Sequence, residues 1–270
     1  MDIAHGWLDH VCIDFDRSDS LSHLEYSADQ PEPAPKQFFD AVTHEFKSPI
    51  ASLKLYLQTL SRRPMEEEKR NEFYVSMMED VERLDRLITQ LLEVAKVQQA
   101  TETSEPFEWV EIAPLVKTTA EKLALHYDSP RNALVVDVPD VEVFARRVDL
   151  EILLRNLMDN ALKYSGEPPE VSVTGMVSVD NSILQLIFRD NGKGIPRHLR
   201  RVIFKRFYRV GDELERTKPG TGLGLFLVRS IVKRMGGKIR VEDLGKQPGT
   251  QFIVELTQIR RPNSGTPKLD

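Results

Sequence analysis

Asp40-Ala41-Val42-Thr43-His44-Glu45-Phe46-Lys47-Ser48-Pro49-Ile50 sets a histidine beside a carboxylate early in a long helical pattern. Apolar residues recur around it at Phe39, Val42, Phe46, Ile50, Leu53, Leu57 and Leu60, steps of three and four that draw one stripe along a helix. His44 stands two residues from both Val42 and Phe46, roughly 200° round the helix from each. Its imidazole is therefore expected to face outward. A neutral imidazole keeps a free lone pair on one ring nitrogen, so it attacks an electrophile without first losing a proton. Glu45, one residue on, can accept the hydrogen of the other ring nitrogen and fix the tautomer. A surface His-Glu pair is commonplace, and reading it as a nucleophile requires a nucleotide site elsewhere in the chain.

The first helix is expected from Lys36 to about Arg62. Pro49 in its interior removes a backbone hydrogen bond and bends it about one turn beyond His44. Arg63-Pro64 breaks the pattern. A second helix opens in Glu66-Glu67-Glu68, whose charge suits a helix N-terminus, and runs to about Gln99. Its apolar positions Tyr74, Met77, Val81, Leu84, Ile88, Leu91 and Ala95 alternate steps of three and four, the repeat of coiled-coil packing. One hairpin cannot surround its own stripe. Two hairpins joined as a four-helix bundle bury both, so a homodimer is expected.

Charge and composition exclude several classes. The 270 residues carry a net charge of -5. Residues 1–35 hold eight acidic and one basic residue, a charge of -7, so the remainder sums to about +2 and offers no basic excess for nucleic acid. The single cysteine, Cys12, cannot form an internal disulfide and suits a reducing compartment. No apolar run approaches the roughly 18 residues of a membrane span, and no secretory signal opens the chain. A cytoplasmic location is the expectation. Residues 1–35 read as an acidic leader closing in the proline-rich linker Gln30-Pro31-Glu32-Pro33-Ala34-Pro35, with Ile3, Trp7 and Val11 at helical spacing before it.

Residues 100–106 have loop composition and mark a boundary between a segment 36–100 and a second domain over 106–260, with 261–270 as a tail. Beyond 106 the pattern predicts strands at 109–111, 133–138, 142–144, 170–177, 183–189, 238–242 and 250–256. Helices are predicted at 112–125, 149–164 and 221–235, and a long polar segment at 191–219. Helices mixed with antiparallel-looking strands make an α+β sandwich with helices on one face.

Four stretches of this domain carry chemistry. In Leu153-Leu154-Arg155-Asn156-Leu157-Met158-Asp159-Asn160-Ala161-Leu162-Lys163-Tyr164 the spacing puts Asn156, Asn160 and Lys163 on one helix face, two amides and a cation that suit a metal-bound phosphate. Asp190-Asn191-Gly192-Lys193-Gly194 follows an apolar strand, where glycines admit close backbone approach and Asp190 accepts a hydrogen bond. Phe204-Lys205-Arg206-Phe207-Tyr208-Arg209 interleaves aromatic and basic residues. Gly220-Thr221-Gly222-Leu223-Gly224-Leu225 opens a helix, whose free N–H groups favour polyphosphate. No strand precedes these glycines and their spacing is Gly-x-Gly-x-Gly, which argues against a dinucleotide fingerprint; no Lys-Ser or Lys-Thr follows, which excludes a P-loop.

In this order, after the His44 stretch, the four motifs resemble those of sensor histidine kinases of two-component signalling, with an ATP domain like that of the gyrase, Hsp90 and MutL group. The resemblance covers about residues 36–257. It implies an all-α hairpin, a four-helix bundle as a dimer, followed by an α+β sandwich of the Bergerat (GHKL) type. It also implies an ATP-dependent protein-histidine kinase that phosphorylates itself on His44, with Glu45 as the adjacent acid, and passes the phosphoryl group to an aspartate of a separate response regulator receiver domain.

Carried over by the resemblance, Asn160 is the Mg²⁺ ligand, Asn156 lies one turn before it, and Lys163 and Tyr164 line the nucleotide. Asp190 reads adenine. Gly192, Gly194, Gly220, Gly222 and Gly224 are lid hinges, with Thr221 and Leu223 between them. Phe204 and Phe207 anchor the lid, Arg209 contacts phosphate and Thr250 lines the pocket. ATP-hydrolysing relatives carry a water-activating glutamate where this chain has Asn156, which cannot act as a base. The chain departs from the pattern at Ser48, where relatives with phosphatase activity carry Thr or Asn, and in lacking a recognisable input module or attached receiver. The rival reading is a dimeric nucleotide-binding scaffold without phosphotransfer; a serine kinase or hydrolysing ATPase of the same superfamily is disfavoured by the hairpin bearing His44 and by Asn156.

Overall fold

The computed structural model describes residues 35–62, 65–98, 106–127, 133–210, 220–245 and 247–262. The expected leader helix around Ile3, Trp7 and Val11, nearly all of the proline-rich linker, the Arg63-Pro64 turn, residues 100–105 of the boundary, 211–219 of the polar segment and 263–270 of the tail lie outside them. By packing, Phe39–Asp270 forms one unit, and the contacts below belong to it.

Two long helices come first, α1 (Pro35–Arg62) and α2 (Glu67–Gln98). Helix α1 is continuous through the buried Pro49. Early residues of α1 meet late residues of α2: the Arg83 guanidinium donates to Glu45 Oε2 at 3.0 Å, and the Tyr56 and Phe73 rings lie 4.8 Å apart. The helices therefore run antiparallel as a hairpin. Much of the expected seam is open in the single chain, with Ile50, Leu57, Tyr74, Val81 and Ile88 all about half exposed or more. The buried positions of α2 are Leu87, Val94 and Val97, a different face; Val94 and Val97 join the core of the sandwich that follows.

That sandwich comprises β1 (Glu108–Glu111), α3 (Ile112–His126), β2 (Leu134–Asp137), β3 (Glu142–Ala145), α4 (Arg147–Tyr164), β4 (Val171–Val177), β5 (Leu184–Asp190), α5 (Gly224–Arg234), β6 (Lys238–Asp243), β7 (Thr250–Leu256) and β8 (Ile259–Arg260). Five strands form the main sheet in the order β2-β4-β5-β7-β6, and β1-β3-β8 form a small second sheet. All pairings in the main sheet are antiparallel except β2 with β4, which is parallel. The one parallel pair is possible because β3 and α4 intervene between β2 and β4 and supply the crossover that a parallel pair needs.

The sheet's two faces separate by the period-two rule. On the inner face Leu184, Leu186 and Phe188 of β5 and Phe252, Val254 and Leu256 of β7 are buried with α4 and α5 residues in one core. On the outer face Gln185 bonds Glu255 (3.0 Å), Arg189 bonds Gln251 (2.9 Å) and Gln251 bonds Glu242 (2.9 Å). The register pairs Asp190 with Thr250 at the strand ends, so both occupy the last inward positions. An aspartate becomes buried there because the apolar alternation carries it in.

The polar segment after β5 contains two short 3₁₀ turns, Arg197–Leu199 and Val202–Phe204. Helix α5 begins at Gly224, three residues later than the glycine-rich pattern suggested. Gly222 sits at φ +72°, a left-handed conformation incompatible with helix, so the helix forms only beyond it.

Candidate nucleotide and phosphoacceptor site

His44 lies exposed on α1, as its place off the apolar stripe predicts. The side chain of Glu45 is only 13% exposed and is ion-paired to Arg83. That partner, 38 residues away, has no signature in the local sequence. The pair occupies Oε2 and holds the carboxylate against α2. Ser48, one turn beyond His44, is exposed.

Asp190 organises the second half of the site. Its Oδ1 accepts the Gly192 N–H at 2.8 Å, and Thr250 supplies further hydrogen bonds from backbone and hydroxyl. Burial pushes the carboxyl above its ordinary range, against the opposing pull of the Gly192 and Thr250 donors. Two glycines make room for it. A Cβ on Gly192 would lie 2.0 Å from the Tyr164 carbonyl oxygen, and one on Gly249 would lie 2.1 Å from the Asp190 carbonyl oxygen. Gly249, at φ +133°, is a site residue that the motifs did not single out. Its signal was its place immediately before Thr250. Gly194, at φ +77°, packs against the Gly249 carbonyl.

On α4, Asn156 is buried, with its amide nitrogen donating to the Ile152 carbonyl at 2.7 Å. Its Oδ1 faces Gly224, where a Cβ would come within 2.5 Å. Asn156 is thus packed against the start of α5. Asn160, one turn on, is half-buried, and among the described residues its side chain makes no hydrogen bond. Lys163 extends its ammonium over the Tyr164 ring (5.2 Å) and beside Gly220, where a Cβ would lie 2.5 Å from Nζ. Tyr164 is about half exposed.

The glycine run closes the site from the other side. A Cβ on Gly222 would collide with the Phe207 backbone at 2.6 Å, and Phe207 itself has φ 59°. Phe204 is buried edge-on against Phe252, centroids 6.4 Å apart. Arg209 is half-buried at the end of this stretch. The Thr221 hydroxyl bonds Gln90 of α2 and accepts the Leu223 N–H at 3.3 Å. Leu223 is fully buried in the apolar core, so its side chain anchors the glycine run from beneath. Gly192, Gly194, Gly220, Gly222 and Gly224 thus each stand where a Cβ would crowd a neighbouring group, and the Asn160 amide and the Lys163 ammonium are carried on α4 beside them. This donor set and its close-approach backbone fit a polyphosphate, and the Asn160 carboxamide oxygen fits a hard divalent cation. Among the described residues, no cluster of His, Cys, Asp and Glu offers a protein-only metal cage.

A buried carboxylate at a strand end, an amide-bearing helix and a glycine run define a nucleotide-binding sandwich joined to a helical hairpin with an exposed histidine. The comparisons agree. Residues 35–100 match the His Kinase A (phospho-acceptor) domain, and residues 145–259 match the Histidine kinase-, DNA gyrase B-, and HSP90-like ATPase. The chain belongs to the sensor histidine kinases. Signal transduction histidine-protein kinase/phosphatase MprB of Mycolicibacterium paratuberculosis is 31% identical over 236 residues, 82% of this chain and 43% of the relative. That of Mycobacterium tuberculosis is 31% identical over 230 residues, 81% and 44% respectively. The chain therefore spans less than half the length of these curated relatives.

Among solved structures, the Acinetobacter baumannii histidine kinase AdeS aligns with TM-score 0.60 and 23% identity, covering 80% of this chain and 98% of that one. Histidine kinase ThkA, in complex with response regulator protein TrrA, aligns with TM-score 0.65 and 21% identity, covering 82% and 61%. At those identities the likeness is one of fold. No helix among the described residues is long and apolar enough to cross a membrane.

Proposed function

We propose that the chain is an ATP-dependent protein-histidine kinase that phosphorylates His44 and passes the phosphoryl group to an aspartate of a separate response regulator. The observation that carries this reading is the coexistence in one chain of an exposed imidazole beside an ion-paired carboxylate and a glycine-lined cradle around Asp190 and α4. The 31% identical relatives named kinase/phosphatase support it.

In this mechanism Asp190 reads the adenine edge by accepting a hydrogen bond, while Lys163, Arg209 and the N–H groups of the glycine run from Gly220 to Gly224 hold the phosphates. Asn160 would hold Mg²⁺, which when bound neutralises charge on the phosphates. A ring nitrogen of His44 attacks the γ-phosphorus, the bond to the β–γ bridging oxygen breaks, and ADP departs. Oε2 of Glu45 is taken by Arg83, leaving Oε1 to accept the other ring N–H and keep the attacking lone pair aimed. Asn156, spent on the Ile152 carbonyl and wedged against Gly224, supplies no base for water, so transfer to His44 outcompetes hydrolysis.

The domain division we assign is a leader to residue 35, a dimerisation and phosphotransfer segment over 36–100 and a catalytic domain over 106–260. The half-exposed apolar stripe of the hairpin favours a homodimer, and the use of cellular ATP favours a cytoplasmic position for these residues. Exposed Ser48 carries a hydroxyl able to orient water, which would give the phosphatase half of the relatives' name. Incubation with γ-labelled ATP is expected to yield a label lost in acid and stable in alkali, and discharged by the cognate receiver domain. An acid-stable label would instead indicate a serine or threonine acceptor; ATP binding without label would favour the scaffold.

A further inference from the structure

The motif Asp190-Asn191-Gly192 contributes one side chain that the nucleotide reading leaves unused. Asn191 does not face the cradle; it spans the loop 165–170 between α4 and β4. Its Oδ1 accepts the N–H groups of Gly166 (2.9 Å) and Glu170 (3.1 Å), and its Nδ2 donates to the Pro168 carbonyl (2.8 Å). Its backbone N–H donates to Glu170 as well, at 3.2 Å. Few side chains meet that pattern. Two N–H groups converge on one oxygen while a carbonyl on the same loop needs a donor, and a carboxamide offers both functions on a short, planar group. Aspartate keeps the acceptor and loses the donor; serine cannot span the loop.

The neighbours leave this clamp no slack. A Cβ on Gly166 would lie 2.9 Å from the Asn191 carbonyl oxygen, and one on Gly192 would lie 2.0 Å from the Tyr164 carbonyl oxygen. The strand end bearing Asp190 and the helix end bearing Asn160, Lys163 and Tyr164 thus lie close together, and the Asn191 carboxamide ties the loop that leaves the helix to the strand end.

We propose that Asn191 is a positioning residue that fixes the distance between the base-reading and phosphate-holding ends of the site, and so its acceptance of a nucleotide of one length. This rests on the nucleotide reading above. A ligand gripped at two ends gains affinity from the second grip only while the spacing matches, whereas a ligand gripped at one end is indifferent to it.

The test compares Mg-ATP with adenosine, each displacing a fluorescent ATP analogue from the full chain, in wild type, Asn191→Ala and Asn191→Asp. Asn191→Ala is expected to weaken ATP by about tenfold or more, the loss of a matched second grip, while adenosine changes by less than about twofold; Asn191→Asp recovers most of the difference. Parallel weakening of both ligands, or no change in either, overturns the proposal and leaves the nucleotide reading standing. A wild type that binds neither ligand overturns both. Should Asn191→Ala fail to fold, Asn191→Ser, whose short hydroxyl cannot span the loop, decides: ATP weakened relative to adenosine supports the clamp, and an unchanged ratio refutes it.

Discussion

Asp190 shows how a functional group is installed against the preference of the fold. Its carboxyl titrates above the ordinary 3.8, chiefly because it is buried. A carboxylate whose folded pKa is raised destabilises the folded state wherever it is ionised. That cost is absent below the unfolded pKa, grows as pH rises from the unfolded towards the folded value and levels off above it. Asp190→Asn removes it. The variant is expected to melt higher than wild type at pH 7.5, with the difference closing towards pH 4, while ATP affinity falls at least about tenfold through loss of a charged hydrogen-bond acceptor. Thermal melts across pH with parallel binding isotherms check both; a variant less stable at neutral pH would show that the carboxylate is better satisfied than its burial implies. The type and position of Asp190 were legible in the sequence. The role of Leu223 was not, since a leucine between glycines gives no sign of which side it faces until α5 packs.

At the scale of elements, α1 and α2 each divide their apolar residues between two duties. Helical periodicity located both helices to within a residue or two. It did not show that Leu87 and Val94 face one way and Val81 and Ile88 another, because a stripe of apolar residues does not reveal its partner. Leu87→Ala is expected to destabilise the chain by about 2–5 kcal/mol, the usual loss for a fully buried leucine. Leu92→Ala, at a position 58% exposed, should cost little in the isolated chain; denaturant melts of the two variants check the contrast.

Pro49 has a related effect in α1. Lacking an N–H, it leaves the Glu45 carbonyl, one residue from His44, without its usual helical donor. Pro49→Ala restores that bond and is expected to raise stability by up to about 3 kcal/mol, measured in the same melts. The parallel β2–β4 pair and the two-residue β8 escaped the sequence because their pairings are long-range and their lengths fall below any periodic signal.

For the whole molecule, the hairpin's open face and its contacts with the sandwich compete for the same helix. Gln90, Glu93 and the Val97 carbonyl, on successive turns of α2, take up Thr221, Arg155 and Arg234. Tyr74, Val81 and Ile88 stay open on another side of the helix. In the homodimer proposed above a second copy would bury that open stripe, and a charge placed in it should be unfavourable twice. Ile88→Asp is expected to convert the species seen by analytical ultracentrifugation from about twice the 30.9 kDa chain mass to a single chain; a wild type already monomeric at micromolar concentration would contradict the dimer.

The most direct measurement is the labelling of His44→Ala with γ-labelled ATP, alongside a binding isotherm for the same variant. ATP affinity should equal that of wild type, because His44 lies on α1 and the cradle on the sandwich, and the phosphoryl label should be absent. Label persisting on the variant at the wild-type rate would contradict the assignment of His44 as the group that receives the phosphate.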